Sequence, residues 1–189
     1  MANISENLLV KEARGNVAKQ FVYRRHGNDT HITKMPKFDK DRQPTQGQEK
    51  VRGLFSLAAL YAQGAVSSAE LKAQYKRKAA PGKTAFNVAF KDYLKSPVVN
   101  MISTENYTGL IGSTITVTAM DDFRVVKVTV SIYTADNELV EQGNAILNPV
   151  NRSQWIYTAT EDHIALEGST IKAIASDLPG NQGSLEVLL

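Results

Sequence analysis

The sequence predicts an α+β chain of two domains: a basic β-hairpin with three short helices over residues 1–97, then an all-β sandwich over residues 98–189. Three observations carry this reading. Apolar residues recur at helical spacing before Pro97 and at every second position after it. The charge reverses at the same place: residues 1–97 hold 18 Lys and Arg against 8 Asp and Glu (net +10), and residues 98–189 hold 4 against 11 (net −7). Turn residues then punctuate the second half at short intervals. Such asymmetry marks a domain boundary and a basic face suited to an anionic partner.

The N-terminal hairpin is expected over residues 17–35. VAKQFVYRR is rich in β-branched and aromatic residues, His26-Gly27-Asn28-Asp29 supplies the turn, and Thr30-His31-Ile32-Thr33 returns. Alternation puts Phe21, Tyr23 and Arg25 on one face, with Val22 and Arg24 on the other. A lone hairpin is marginal in water, so this one has to dock on something. The Pro36–Pro44 stretch reads as a surface connection.

Three helices follow. Thr45 with Gln48 makes a capping box for the first, whose apolar face is Val51, Leu54, Phe55, Ala58, Ala59 and Ala62, ending near Gly64. Ser67 with Glu70 makes a second box, leading a narrow stripe of Leu71, Tyr75 and Ala79. After Pro81-Gly82 the third helix carries Phe86, Ala89, Phe90, Tyr93 and Leu94 and stops before Pro97, because the residue preceding a proline disfavours helix. Packing these stripes together, with the hairpin as a lid, gives one small core.

Downstream, Ile115, Val117 and Ala119 alternate with threonines, Val126, Val128, Val130 and Ile132 with polar partners, and Trp155, Tyr157 and Ala159 likewise. Ile171, Ala173 and Ala175, then Leu185, Val187 and Leu189, complete about seven short strands, the pattern of a two-sheet sandwich. Residues 112–121 (GSTITVTAMD) and 168–177 (GSTIKAIASD) echo one another, as equivalent strands entered from a tight turn and left at an Asp-bearing loop would.

Two resemblances rest on these residues. The C-terminal half resembles bacterial immunoglobulin-like domains with an Ala-x-Asp-x-x-Gly-Asn ending, here Ala175-Ser176-Asp177-Leu178-Pro179-Gly180-Asn181. It departs from antibody-type domains in having no cysteine pair and in carrying Trp155 on a late strand. Residues 15–95 resemble a group of uncharacterised bacterial and phage-associated proteins. The shared pattern is a basic hairpin, then Thr45, Gln48, Arg52 and Phe55, then Gly82, Thr84, Ala85, Phe86 and Asn87. That resemblance implies a fold and no chemistry. A basic three-helix unit is also similar to HMG-box DNA-binding domains, although no residue here corresponds to their wedge.

Composition narrows the function. Without cysteine there is no disulfide framework, thiolate metal site or cysteine nucleophile. No apolar run reaches the ~18 residues of a membrane span, and the acidic N-terminus is unlike a secretory signal, so the cytoplasm is the expected compartment and no membrane is expected. No phosphate-binding glycine loop and no carboxylate pair at acid–base spacing is present, so no enzyme and no cofactor is expected. His26 and His31, with Asp29 nearby, are too few for zinc and read as turn histidines. His163 reads as a loop residue with no serine or aspartate placed to complete a triad.

Two candidate sites remain. Asp121, Asp122, Asp177 and Asn181 would converge at one end of the sandwich if the echoing strands are neighbours, as a calcium site or as loop caps. The basic residues Arg24, Arg25, Lys34, Lys37, Lys40 and Arg42, interleaved with Phe21 and Tyr23, and Lys72, Lys76, Arg77 and Lys78 on the second helix, would suit nucleic acid. The expected function is a non-enzymatic interaction or structural protein with an unidentified protein partner. The alternative is DNA or RNA binding by the basic N-terminal half.

Overall fold

A computed structural model of the chain describes residues 2–10, 12–37 and 43–189. They form two compact units, Met1–Thr45 and Gln46–Leu189, so the division expected at Pro97 runs through the second unit.

The first unit is one antiparallel sheet in the order β1 (Ala2–Asn3), β4 (Asp29–Lys34), β3 (Phe21–His26), β2 (Gly15–Val17). The central hairpin pairs His26 with Asp29 across Gly27-Asn28, where Gly27 supplies φ +63°. The strand expected from Val17 is interrupted. Val17 closes β2, and Ala18 and Lys19 turn with φ of 48° and 58° before β3 begins. Asn16 Oδ1 fixes that turn by accepting the Lys19 N–H at 2.8 Å. The hairpin therefore gains a short strand on each edge. Among the described residues of this unit only Thr30 is buried.

In the second unit, α1 (Gln46–Ser67), α2 (Ala69–Lys78) and α3 (Ala85–Leu94) precede eight strands. The helical stripes differ from expectation. α1 continues through Gly64, and its buried residues are Ala58, Ala62 and Ala65, whereas Val51, Leu54 and Phe55 are exposed. Length is the reason. At ~1.5 Å per residue a 22-residue helix overruns ten-residue partners by several turns, so its buried residues lie toward its C-terminal end, and Phe55 meets Phe90 edge-to-face while staying largely exposed. The cap of α2 is Ser68, whose Oγ accepts the Leu71 N–H, while Ser67 donates back to the Gln63 carbonyl as the last residue of α1. Thr84 caps α3 through the Asn87 N–H. On α3 the expected core residue Leu94 is exposed, and Asp92 is buried.

The strands make two four-stranded antiparallel sheets. One runs β5 (Val98–Ser103), β6 (Thr114–Met120), β10 (Gln154–Thr158), β9 (Ile146–Leu147). The other runs β12 (Gln182–Leu188), β11 (Thr170–Asp177), β7 (Val125–Tyr133), β8 (Leu139–Asn144). The alternation read from the sequence supplies one shared core, with Ile115, Val117, Trp155 and Tyr157 from the first sheet and Val128, Val130, Ile132 and Ile171 from the second. The echoing strands β6 and β11 lie in different sheets and do not pair, yet both end at the helices.

Candidate functional site

The helices and the sandwich are joined by two turns built alike. Asp121 Oδ2 accepts the N–H groups of Phe123 and Arg124, at 2.9 and 2.8 Å, and Asp177 Oδ1 accepts those of Gly180 and Asn181, at 2.8 and 2.6 Å. A carboxylate that holds its own turn in this way fixes the direction of the residues that follow. Each turn drops an apolar side chain, Phe123 or Leu178, into the helical cluster of Ala62, Ala65, Tyr75, Ala85 and Ala89. Phe123 stacks on Tyr75 with ring centroids 4.1 Å apart. Asn181 Nδ2 donates to the Asp92 and Tyr93 carbonyls at the end of α3 and to Asp177 Oδ2. The Ala-x-Asp-x-x-Gly-Asn ending is thus a joint, and the sequence echo marks two strands that deliver such joints.

Buried polar groups run through the same place. Tyr75 Oη donates to Asp92 Oδ2 at 2.7 Å, so the 2.8 Å Tyr61–Tyr75 contact has Tyr61 as donor. Asp92 Oδ1 and Asp121 Oδ1 are both buried with no other partner. Burial pushes Asp92 up to about 7; the Tyr75 hydroxyl opposes this, while the Asp121 and Asp177 carboxylates add to it. Hydrogen bonds thus run from Tyr61 on α1 through Tyr75 on α2 to Asp92 on α3. Burial also raises Tyr75 well above its ordinary range, helped by Tyr61 and Asp92, and raises Asp177 against its N–H donors. At the surface of this joint Asp122 is held below the usual carboxylate range by Lys91 and then Lys95.

Beside the joint lies an open groove of about 730 Å³. Arg77 and Lys78, at the C-terminal end of α2, line one wall. Arg124 from the β6–β7 turn and Arg152 from the β9–β10 turn line the other, with Met120, Val125 and Leu147 between them. Asp121 is the one acidic side chain in the lining among the described residues, and its Oδ2 already holds two N–H groups. The Arg124 guanidinium lies 5.9 Å over the Phe123 ring, which helps to hold it. None of these four cations is ion-paired among the described residues. A second groove of about 500 Å³ shares Lys78 and Phe123 and adds Lys83 and Lys91.

No family model matches the chain, and no curated protein matches it.

The groove gathers part of the expected basic set and adds to it. Arg77 and Lys78 belong to it; Lys72 and Lys76 are exposed elsewhere on α2. Phe21, Tyr23, Arg25 and Lys34 share one face of the first unit's sheet, with Phe21 and Tyr23 edge-to-face at 5.5 Å. Arg24 takes the opposite face, and Lys37 is exposed beyond β4. Lys40 and Arg42 lie outside the described residues. Arg124, Arg152 and Asp92 escaped sequence reasoning. The scarcity of cations in an acidic half was a signal for the two arginines, but only topology brings them to α2.

The other expected sites resolve locally. Asp121 and Asp177 cap their turns, Asp122 pairs with lysines, and no group of three or more His, Asp or Glu side chains among the described residues is placed to hold a metal. His26 pairs across the strands with Asp29, and His31 with Arg24. His163 has a serine partner that the sequence did not reveal: its Nε2 lies 2.7 Å from Ser169 Oγ, which donates to the Ala165 carbonyl. Ser169 is buried and Asp162 binds the Ile111 N–H instead, so this contact staples a loop. No helix among the described residues is long and apolar enough to cross a membrane.

Proposed function

We propose that this chain is a non-enzymatic interaction protein, an immunoglobulin-like sandwich fused to a basic helical docking part, which holds an anionic partner in the groove between them. One observation carries the reading. Four cations from three separate segments, none ion-paired among the described residues, converge on one groove whose described carboxylate is already engaged. Two of the acidic half's four basic residues lie in this groove with the basic end of α2.

The strand order supports the immunoglobulin-like part. Numbered within the sandwich, the sheets run first-second-sixth-fifth and eighth-seventh-third-fourth. That is the ABED and GFC arrangement with one added strand beside C. Against it stands Trp155, on the sixth strand where antibody domains carry a buried Trp on the third. The buried tyrosines and carboxylates at the joint hydrogen-bond to each other and to backbone, which suits a structural role better than turnover.

Retention on an immobilised sulfated polysaccharide at low salt tests this. Wild type should be retained, and R77E/R124E/R152E should flow through with an unchanged melting temperature. Equal retention of the two would refute the groove.

A second reading, nucleic-acid binding by the basic N-terminal half, draws on the shared face of Phe21, Tyr23, Arg25 and Lys34. It predicts loss of binding in R25E/K34E instead.

A further inference from the structure

We infer that the groove takes the phosphodiester backbone of a single-stranded nucleic acid, a proposal that rests on the anion-groove reading above. Three features select this occupant. The first is the kind of cation: three of the four are arginines, whose planar forks bind phosphate oxygens in pairs. The second is extent. Two grooves meet at Lys78 and Phe123, so the positive charge continues past Lys78 to Lys83, while Lys91 farther along is paired with Asp122. A track of spaced positive charges suits a chain of regularly repeated negative ones, and a compact anion would occupy only one part of it.

The third feature is the surface between the charges. Met120 is 52% exposed and Leu147 38% exposed, and both line the groove together with Val125. Apolar surface between cations suits a ligand that alternates phosphates with planar, weakly hydrated bases. A duplex keeps its bases inside and has no use for that wall, and a polyglutamate offers it only short methylene stems and no flat ring. Phe123 itself is buried against Tyr75 and serves as the prop for Arg124. It is a positioning residue, and it stacks on no base.

The test is fluorescence anisotropy with the full chain at low salt, using a labelled 12-mer of oligothymidylate, the corresponding duplex and a polyglutamate peptide. Oligothymidylate should bind at least tenfold more tightly than polyglutamate, and with about four phosphate contacts its log–log salt slope should be near −3. R77Q/R124Q/R152Q, which removes charge from exposed side chains without reversing it, should weaken binding at least tenfold. K72E/K76E, on the exposed part of α2 outside the groove, should weaken it less than threefold. If polyglutamate binds in preference and the glutamine variant abolishes that binding, the nucleic-acid inference falls and the anion groove stands. If no polyanion binds, both fall. If oligothymidylate binding survives the glutamine variant and is lost in R25E/K34E, the groove is not the site.

Discussion

The sandwich core and the joint beneath the helices are equally well buried but built from different chemistry. The core is mostly aliphatic and aromatic, with one buried carboxyl group, Glu141, accepting from Tyr157 Oη and Thr160, so it is held mainly by apolar burial and packing. The joint buries Tyr75, Asp92 and Asp177 beside alanines and Phe123, so its integrity depends on hydrogen bonds and on the protonation of one carboxyl group. A core of the first kind draws its rigidity from packing. A joint of the second kind fixes the geometry of its neighbours and does so in a pH-dependent way. The groove borders the joint.

The largest expected effect is at the joint. Phe123→Ala removes the ring that fills the helical cluster and props Arg124, and should cost about 3–5 kcal/mol in chemical denaturation. If instead the loss is below ~1 kcal/mol, in the range of an ordinary surface change, the helices do not depend on the sandwich. Ile171→Ala in the core should cost about 2–5 kcal/mol, with a penalty that is the same at pH 5 and pH 8.

Asp92 separates the two regions by pH. Its folded pKa of about 7 stands above the ordinary aspartate value of 3.8, so the folded state binds the proton more tightly. Its contribution is therefore fully present below the unfolded value and is lost as pH rises through about 7. Each tenfold gain in proton affinity on folding is worth roughly 1.4 kcal/mol, so the melting temperature of the wild type should fall between pH 5 and pH 8.5. Asp92→Asn keeps the shape and cannot ionise, and should flatten that profile while gaining stability at pH 8.5. A wild-type profile that rises with pH over this range would contradict an Asp92 that holds its proton in the folded state.

The smallest effect is expected where the sequence pattern was most misleading. Val51→Ser should change stability by less than about 0.5 kcal/mol, because Val51 is 65% exposed. The heptad-like spacing of Val51, Leu54 and Phe55 correctly signals helix, but periodicity does not say whether a partner helix is long enough to cover the stripe.

The same limit divides the rest of what could be read. Alternation at Ile115–Ala119 and Ile171–Ala175 fixes strand identity and the inward face, because period two has only one buried phase. The interruption at Ala18-Lys19 was invisible, since these residues carry no turn preference and take positive φ only because Asn16 holds the turn. Half of the groove was legible as the basic end of α2. Its other half, Arg124 and Arg152, becomes part of it only through the β6–β10–β9 order, which is a long-range fact that local pattern cannot carry. Asp92 lies outside the apolar stripe that the third helix shows in the sequence. Its burial follows from the two Asp turns that close over it.

The most direct measurement is a map of backbone amide shifts in the full chain on titration with the 12-mer of oligothymidylate. The groove predicts saturable shifts confined to residues 74–78, 119–125 and 147–153, together with residues 83–91 along the second groove. Shifts confined to residues 15–37, with those four segments unmoved, would contradict it.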